Sequence, residues 1–105
     1  VCRLPVLNGT TTAASVMACG YHPDVACWSP FHGAMYAVVE SVVRAVCLGA
    51  DPDKLRLTLQ EYFPKLNNTE VWGQPFSALL GAFTALDALD LPAIGGKDSM
   101  SGTYG

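Results

Sequence analysis

Between Ser29 and Gly49 the chain carries a helix start, a helix stop and an unbroken helical period, and this stretch dictates much of what can surround it. Ser29 can accept from the orphan amides of a first turn, and Pro30 suits the first helical position, where no N–H is needed. Gly49 supplies a left-handed terminator. Met35, Val38, Val39, Val42, Val43 and Val46 recur at spacings of three and four, so this helix is expected to lay one continuous apolar face on a core. A second ridge, Gly33, Ala37, Ser41 and Ala45, is built of small residues four apart, which lets another backbone or a ligand approach closely. Glu40 and Arg44 lie one turn apart on the neighbouring ridge. By spacing alone they form a solvated ion pair worth about 0.3–0.5 kcal/mol.

Around that helix the chain alternates between strand and helix patterns. A strand is expected within Thr12 to Cys19, where Thr, Val and small residues dominate, followed by a loop of turn formers from Gly20 to Trp28. After the Asp51-Pro52-Asp53 turn, Leu55, Leu57 and Leu59 alternate with Arg56, Thr58 and Gln60, the period of a half-buried strand. Pro64 breaks this run, and Asn67-Asn68-Thr69 reads as a loop. A second helix is expected from Gln74 to Leu89, with Pro75 in its first turn and Phe76, Leu79, Leu80, Phe83 and Leu86 packed into the core. Pro92-Ala93-Ile94 reads as a short buried strand. The order βαβαβ gives an α/β (α+β) fold, a mixed sheet with helices on one face, in a single domain over residues 1–105.

Half of the residues are apolar and only 14% are charged, against about 25% in ordinary soluble domains. A membrane span does not account for this. Glu40, Arg44 and Asp87 interrupt the oiliest runs before they reach the roughly 18–20 residues that a bilayer requires. Burial against further protein does account for it, because free-standing monomers rarely expose large apolar faces. A chain that opens on Val1 and stops at Tyr104-Gly105, where a strand would continue, reads as an internal piece of a larger protein, one that self-associates when isolated. Net charge is −3 with scattered Lys and Arg, so nucleic-acid binding is disfavoured. With no secretory signal in view, Cys2, Cys19, Cys27 and Cys47 read as reduced thiols of a cytoplasmic protein. Cys19, His22, Cys27 and His32 fall near the spacing of a zinc knuckle, but the order of ligand types is wrong for one. The plainer reading has Cys19 ending a buried strand, His22 and Cys27 in a loop, and His32 in a helix's first turn.

The residues with the most chemistry follow the last strand. Gly95 and Gly96 at a strand's end would let the backbone bend and bring amides toward an anion. Lys97 adds a charge suited to phosphate, Asp98 a hard oxygen suited to Mg2+, and Ser99 and Ser101 hydroxyls for phosphate or metal-bound water. An ordinary surface turn has the same composition. The run is not a Walker loop, because Lys97 is followed by Asp98 rather than by Ser or Thr.

The run Leu91-Pro92-Ala93-Ile94-Gly95-Gly96-Lys97-Asp98-Ser99-Met100-Ser101-Gly102-Thr103 resembles the G-K-D-S-M-S signature of the phosphoribosylformylglycinamidine synthases, especially their long single-chain form. Upstream, Ser29-Pro30-Phe31-His32-Gly33-Ala34-Met35-Tyr36-Ala37-Val38-Val39-Glu40-Ser41 is similar to a helix of that family with an A-V-x-E core. Trp72 to Phe83 is similar to the helix before the signature, so the likeness covers residues 28–104 and extends to residues 3–8. The resemblance implies part of an AIR-synthase-like N-terminal domain in a purine-biosynthesis ligase, which assembles with a pseudo-symmetric half and a glutaminase domain of the same polypeptide. That enzyme uses ATP and glutamine to turn formylglycinamide ribonucleotide into its amidine. By the same likeness Gly95, Gly96, Lys97, Asp98, Ser99 and Ser101 would border ATP or ADP, and Glu40 and Asp98 would hold Mg2+. Many relatives carry Asn four residues after the Glu, where this chain has Arg44. No catalytic residue is assigned, since none of the four cysteines sits on a strand-to-helix elbow beside a histidine. The alternative reading is a non-catalytic module that oligomerises through its apolar faces.

Overall fold

A computed structural model describes residues 1–103. Its elements in chain order are β1 (Cys2–Arg3), β2 (Ala14–Ser15), α1 (Pro23–Trp28), α2 (Pro30–Cys47), a 3-10 turn (Pro52–Lys54), β3 (Leu57–Tyr62), α3 (Thr69–Leu89) and β4 (Ala93–Ser99). The fold is mixed α/β. Among the described residues the strands form two separate pairs, antiparallel β1–β2 and parallel β3–β4, rather than one mixed sheet. The strand expected within Thr12 to Cys19 is reduced to Ala14–Ser15, which pairs with a strand of equal length. Beyond it, Val16 to Gly20 is irregular, and Cys19 is exposed rather than the end of a buried strand.

The helix expected from Ser29 forms as expected at both ends. The Ser29 hydroxyl accepts from the His32 amide, Pro30 occupies the first turn, and Gly49 sits at φ 93° just past the last turn. The loop expected before it contains α1, which Pro23 starts and the His22 ring caps by accepting from the Val25 amide at 3.4 Å. Helix α3 begins earlier than its sequence pattern implies. Asn68, expected in a loop, caps it by accepting from the Val71 amide at 2.9 Å, and Pro75 consequently lies inside the helix and is buried. Without an N–H at Pro75 the Val71 carbonyl loses its intrahelical partner, a defect confined to the second turn.

Helices α2 and α3 pack on one another and on the same face of β3. The core joins Val38 of α2 to Ala82 and Ala85 of α3, with Leu57 and Leu59 of β3 closing over them. On the α3 side this contact is made of small residues: Pro75, Ala78, Gly81, Ala82 and Ala85 are buried, with Ala82 and Ala85 against Val38 of α2. At Gly81 the backbone of Phe31 comes so close that a Cβ would overlap its carbonyl. Gly33 meets Ala26 of α1 in the same way, and Gly20 lies on Ala37 and Ser41, so the small ridge of α2 receives backbone from its own chain. The expected core forms only in part: Val38 is buried, and Met35 and Leu86 pack against the same cluster. Trp72, Phe76, Leu79, Leu80 and Phe83 point outward, with Phe76 and Phe83 each 63% exposed, and Val39, Val43 and Val46 are exposed on α2. The helices approach through their smallest residues, and the bulky faces beside them are left uncovered.

Between β3 and β4, helix α3 forms the crossover of a parallel βαβ unit. The ladder runs from Leu57–Ala93 to Tyr62–Ser99, with one irregularity that leaves Ile94 unpaired between Ala93 and Gly95. Chain 99–103 is then laced to the end of β3: Phe63 donates to the Ser99 carbonyl (2.8 Å), Gly102 to the Phe63 carbonyl (2.9 Å), and Lys65 to the Thr103 hydroxyl (2.9 Å).

Two glycines of α3 separate close approach from helix propensity. Gly81→Ala is expected to lower stability by about 1–3 kcal/mol, because the Phe31 backbone must move. Gly73→Ala, which meets open space, should raise it by about 0.5–1 kcal/mol. Urea denaturation followed by circular dichroism reads both, and equal effects at the two sites would refute the close contact.

Candidate functional site

The segment expected to bend after a short strand is itself strand. Gly95, Gly96, Lys97, Asp98 and Ser99 all lie in β4, paired in order with Thr58, Leu59, Gln60, Glu61 and Tyr62. Neither glycine adopts a positive φ, so there is no glycine turn here. Gly96 has a different role: a Cβ there would sit 2.8 Å from the Leu59 carbonyl. The strand expected to be buried is exposed along its length until Ser99, because only one edge of it is paired.

Extended geometry sorts the candidate residues onto two faces. Gly95, Lys97 and Ser99 share one face and Gly96 and Asp98 the other. Lys97 stands beside Gln60, on the open side of β3, and carries no salt bridge among the described residues. Ser99 shares a hydrogen bond of 3.0 Å with Ser101, which brings both hydroxyls to the C-terminal end of β4. Asp98 stands beside Glu61. Burial pushes the Glu61 carboxyl up, and the neighbouring Asp98 carboxylate pushes it further in the same direction. Glu61 is the site residue that composition and motif reasoning passed over. It was detectable, because it stands in phase with Leu57 and Leu59 and so places an acid at a position where the pattern calls for an apolar side chain.

On α2, Glu40 is committed elsewhere. One oxygen meets Arg44 Nη2 at 2.6 Å, and the other accepts from the Tyr21 amide at 2.9 Å. Arg44 Nη1 in turn donates to the Cys19 carbonyl at 2.9 Å. The two side chains thus bracket Gly20 and hold residues 19–21 on the helix, a job that the plain i,i+4 reading does not include. The pair is half-exposed, so its own Coulomb energy is small, and its main effect is to fix where the segment lies. Among the described residues no group of three or more His, Cys, Asp or Glu side chains is placed to hold a metal ion. Of the knuckle-spaced residues, His22 caps α1, Cys27 lies within α1, and His32 shares a hydrogen bond of 2.8 Å with Ser29; all four thiols are free and exposed.

Between residues 16–21, the small ridge of α2 and β3 lies a cleft of about 740 Å3. Its walls are mostly apolar, and Glu61 and Tyr62 are among the residues that line it. Lys97, Asp98 and Ser99 do not line it; they occupy the strand beyond. The structure therefore brings Lys97, Asp98, Ser99 and Ser101 together along one strand end with Glu61. It leaves Glu40 as the anchor of the cleft's opposite wall. Comparison with protein-family models, with curated proteins and with solved structures finds no match to this chain.

The Glu61 environment has a sign that can be read by titration. A raised carboxyl pKa means that the folded chain holds the proton more tightly than the unfolded chain does. Stability therefore falls as pH rises through the interval between the unfolded and folded values, and stays lower above it. Glu61→Gln should remove this contribution, so the variant gains on the wild type from acidic to neutral pH. Urea midpoints at a series of pH values test this, and a constant difference between the two proteins would contradict it.

Proposed function

We propose that this chain is a segment of a phosphoribosylformylglycinamidine synthase, within an AIR-synthase-like domain, and that β4 and its continuation form part of a nucleotide-phosphate site. What carries the reading is the signature run itself. Gly95 to Ser99 forms one strand, locked in parallel to β3, which sets an ammonium, a carboxylate and two hydroxyls within a few residues of one another. Lys97 and Ser99 share the open face, where an ammonium and a hydroxyl suit phosphate oxygens. Asp98 and Glu61 share the other face and present hard oxygens of the kind Mg2+ takes. Bound Mg2+ would neutralise phosphate charge, the chief protein-assisted part of phosphoryl transfer.

Glu40 fits this chemistry less well. Both of its oxygens are engaged, and a cation there would have to displace the Arg44 guanidinium. On this reading Glu40 and Arg44 act as a clamp on residues 19–21, and Asp98 with Glu61 replaces Glu40 as the carboxylate set for the metal. The remaining domains of the polypeptide, including the pseudo-symmetric half and the glutaminase domain, would supply the rest of a cytoplasmic ligase. The isolated chain would show neither synthase turnover nor glutamine hydrolysis. The second reading, an oligomerisation module, is favoured by one observation: the bulky side chains of α3 are uncovered.

Lys97→Ala and Asp98→Ala separate the two readings. Losing one charge-assisted phosphate contact costs about 1.5–3 kcal/mol, or roughly 10- to 100-fold in affinity. Calorimetric titration of the chain with Mg·ADP and Mg·ATP should show that loss for Lys97→Ala. It should also show loss of the Mg2+ dependence for Asp98→Ala. In the complete polypeptide both substitutions should lower synthase activity and bound-nucleotide content. Unchanged activity and content would sink the ligase assignment of these residues.

A further inference from the structure

The cleft beside β3 has the form of a missing strand. Residues 55–63 line it without a gap, and so do residues 16–21 on the opposite wall, whereas no residue of β4 lines it. A cavity over one face of the sheet would draw on alternate residues of both strands; one lined by every residue of β3 alone runs along its free edge. Backbone groups at that edge are unpaired. The Leu57 amide donates to the Pro92 carbonyl and the Phe63 amide to the Ser99 carbonyl, so the odd-numbered residues of β3 turn their amides toward β4. By alternation Thr58, Gln60 and Tyr62 turn theirs toward the cleft, and among the described residues β3 pairs with no strand but β4. Across the cleft, the backbone of Val16, Met17 and Ala18 makes no hydrogen bond among the described residues. Glu40 and Arg44 hold Tyr21 and Cys19 on α2, which keeps this wall apart from β3.

We propose that this cleft receives an extended peptide segment of a partner protein, hydrogen-bonded to β3 on one side and to residues 16–18 on the other. The size fits. At the usual spacings between residues, strands and sheets a strand takes up about 160 Å3 per residue, so a cleft of about 740 Å3 holds about five residues. The need for a strand is also plain, because a parallel pair standing alone is marginal and an added strand would make β3 central. Ala34, Val38 and Val42 of α2 line the cleft floor, so the segment that fits carries apolar side chains at every second position. Thr58, Gln60 and Tyr62 are exposed on the opposite face of β3, so the alternate positions of the segment are polar. Main-chain bonds supply the affinity of such an addition, and the side-chain pattern supplies its selectivity. The inference does not rest on the ligase reading, since it uses only the free edge of β3, the wall at residues 16–18 and the floor.

The probe is an acetylated, fluorophore-bearing peptide of alternating Val and Thr with terminal Lys, titrated with the chain by anisotropy from about 1 μM to about 1 mM. Saturable binding is expected. In a strand bonded along both edges, N-methylation of either the Val or the Thr residues removes one set of donors, so each methylated peptide should bind about ten-fold more weakly or worse. Hydrogen exchange at the Thr58, Gln60 and Tyr62 amides should slow when the peptide saturates the chain. Val42→Trp, which fills the floor, should weaken binding with helical circular dichroism intact. Absence of binding at the highest concentration overturns the proposal, and so does a loss confined to one methylated peptide, which marks addition to a single edge. Unchanged exchange at the three amides, or unchanged affinity of a folded Val42→Trp chain, places the peptide elsewhere and overturns it as well. A doubled mass in sedimentation with no peptide uptake gives the slot to a second copy and refutes the foreign strand.

Discussion

Helices α2 and α3 come together at the distance of backbone rather than of side chain, and the rest of the structure follows from that approach. Gly81 against the Phe31 carbonyl sets the spacing, and the small Ala82 and Ala85 of α3 against Val38 of α2 keep it close. A contact of this kind gains dispersion from many near atoms but buries little area per residue. It also fixes the rotation of both helices about their axes. Once the small stripes face inward, the bulky residues on the adjacent faces must turn outward.

That rotation explains why the chain is oily yet has a small core. Val38, Ala82 and Ala85, with flanking residues of β3, make up the central cluster, and among the described residues no large side chain is fully buried. The radius of gyration, 16.4 Å, exceeds the roughly 13 Å of a compact domain of this length. A shortage of charge and an excess of surface are thus two aspects of one geometry, in which apolar faces are prepared by the fold and then left open. The ligase reading begins from this fact and fills the open faces with other domains of the polypeptide.

Candidate chemistry gathers where the βαβ unit brings two strand ends together. Parallel pairing sets Asp98 against Glu61 and carries Ser99 to Ser101, while Glu40 and Arg44 hold the far wall of the cleft in place. The two groups of polar residues do different work. One presents charge at an open strand end; the other spends its hydrogen bonds on a neighbouring backbone segment and has little capacity left for a ligand.

Local chemistry determined by itself where α2 begins and ends, that β3 alternates, and that a mixed α/β chain results, because caps, proline and period act within a few residues. The same local signals misplaced the start of α3, since Asn68 and Pro75 are each compatible with loop or helix until the whole helix forms. The expected bend at Gly95-Gly96 failed for a similar reason: glycine permits a turn but does not require one, and pairing with β3 holds both residues extended. Which helix face goes inside was beyond local rules. Hydrophobic periodicity finds the greasiest stripe, whereas close packing selects the stripe that allows nearest approach, and only the tertiary contact at Gly81 decides between the two.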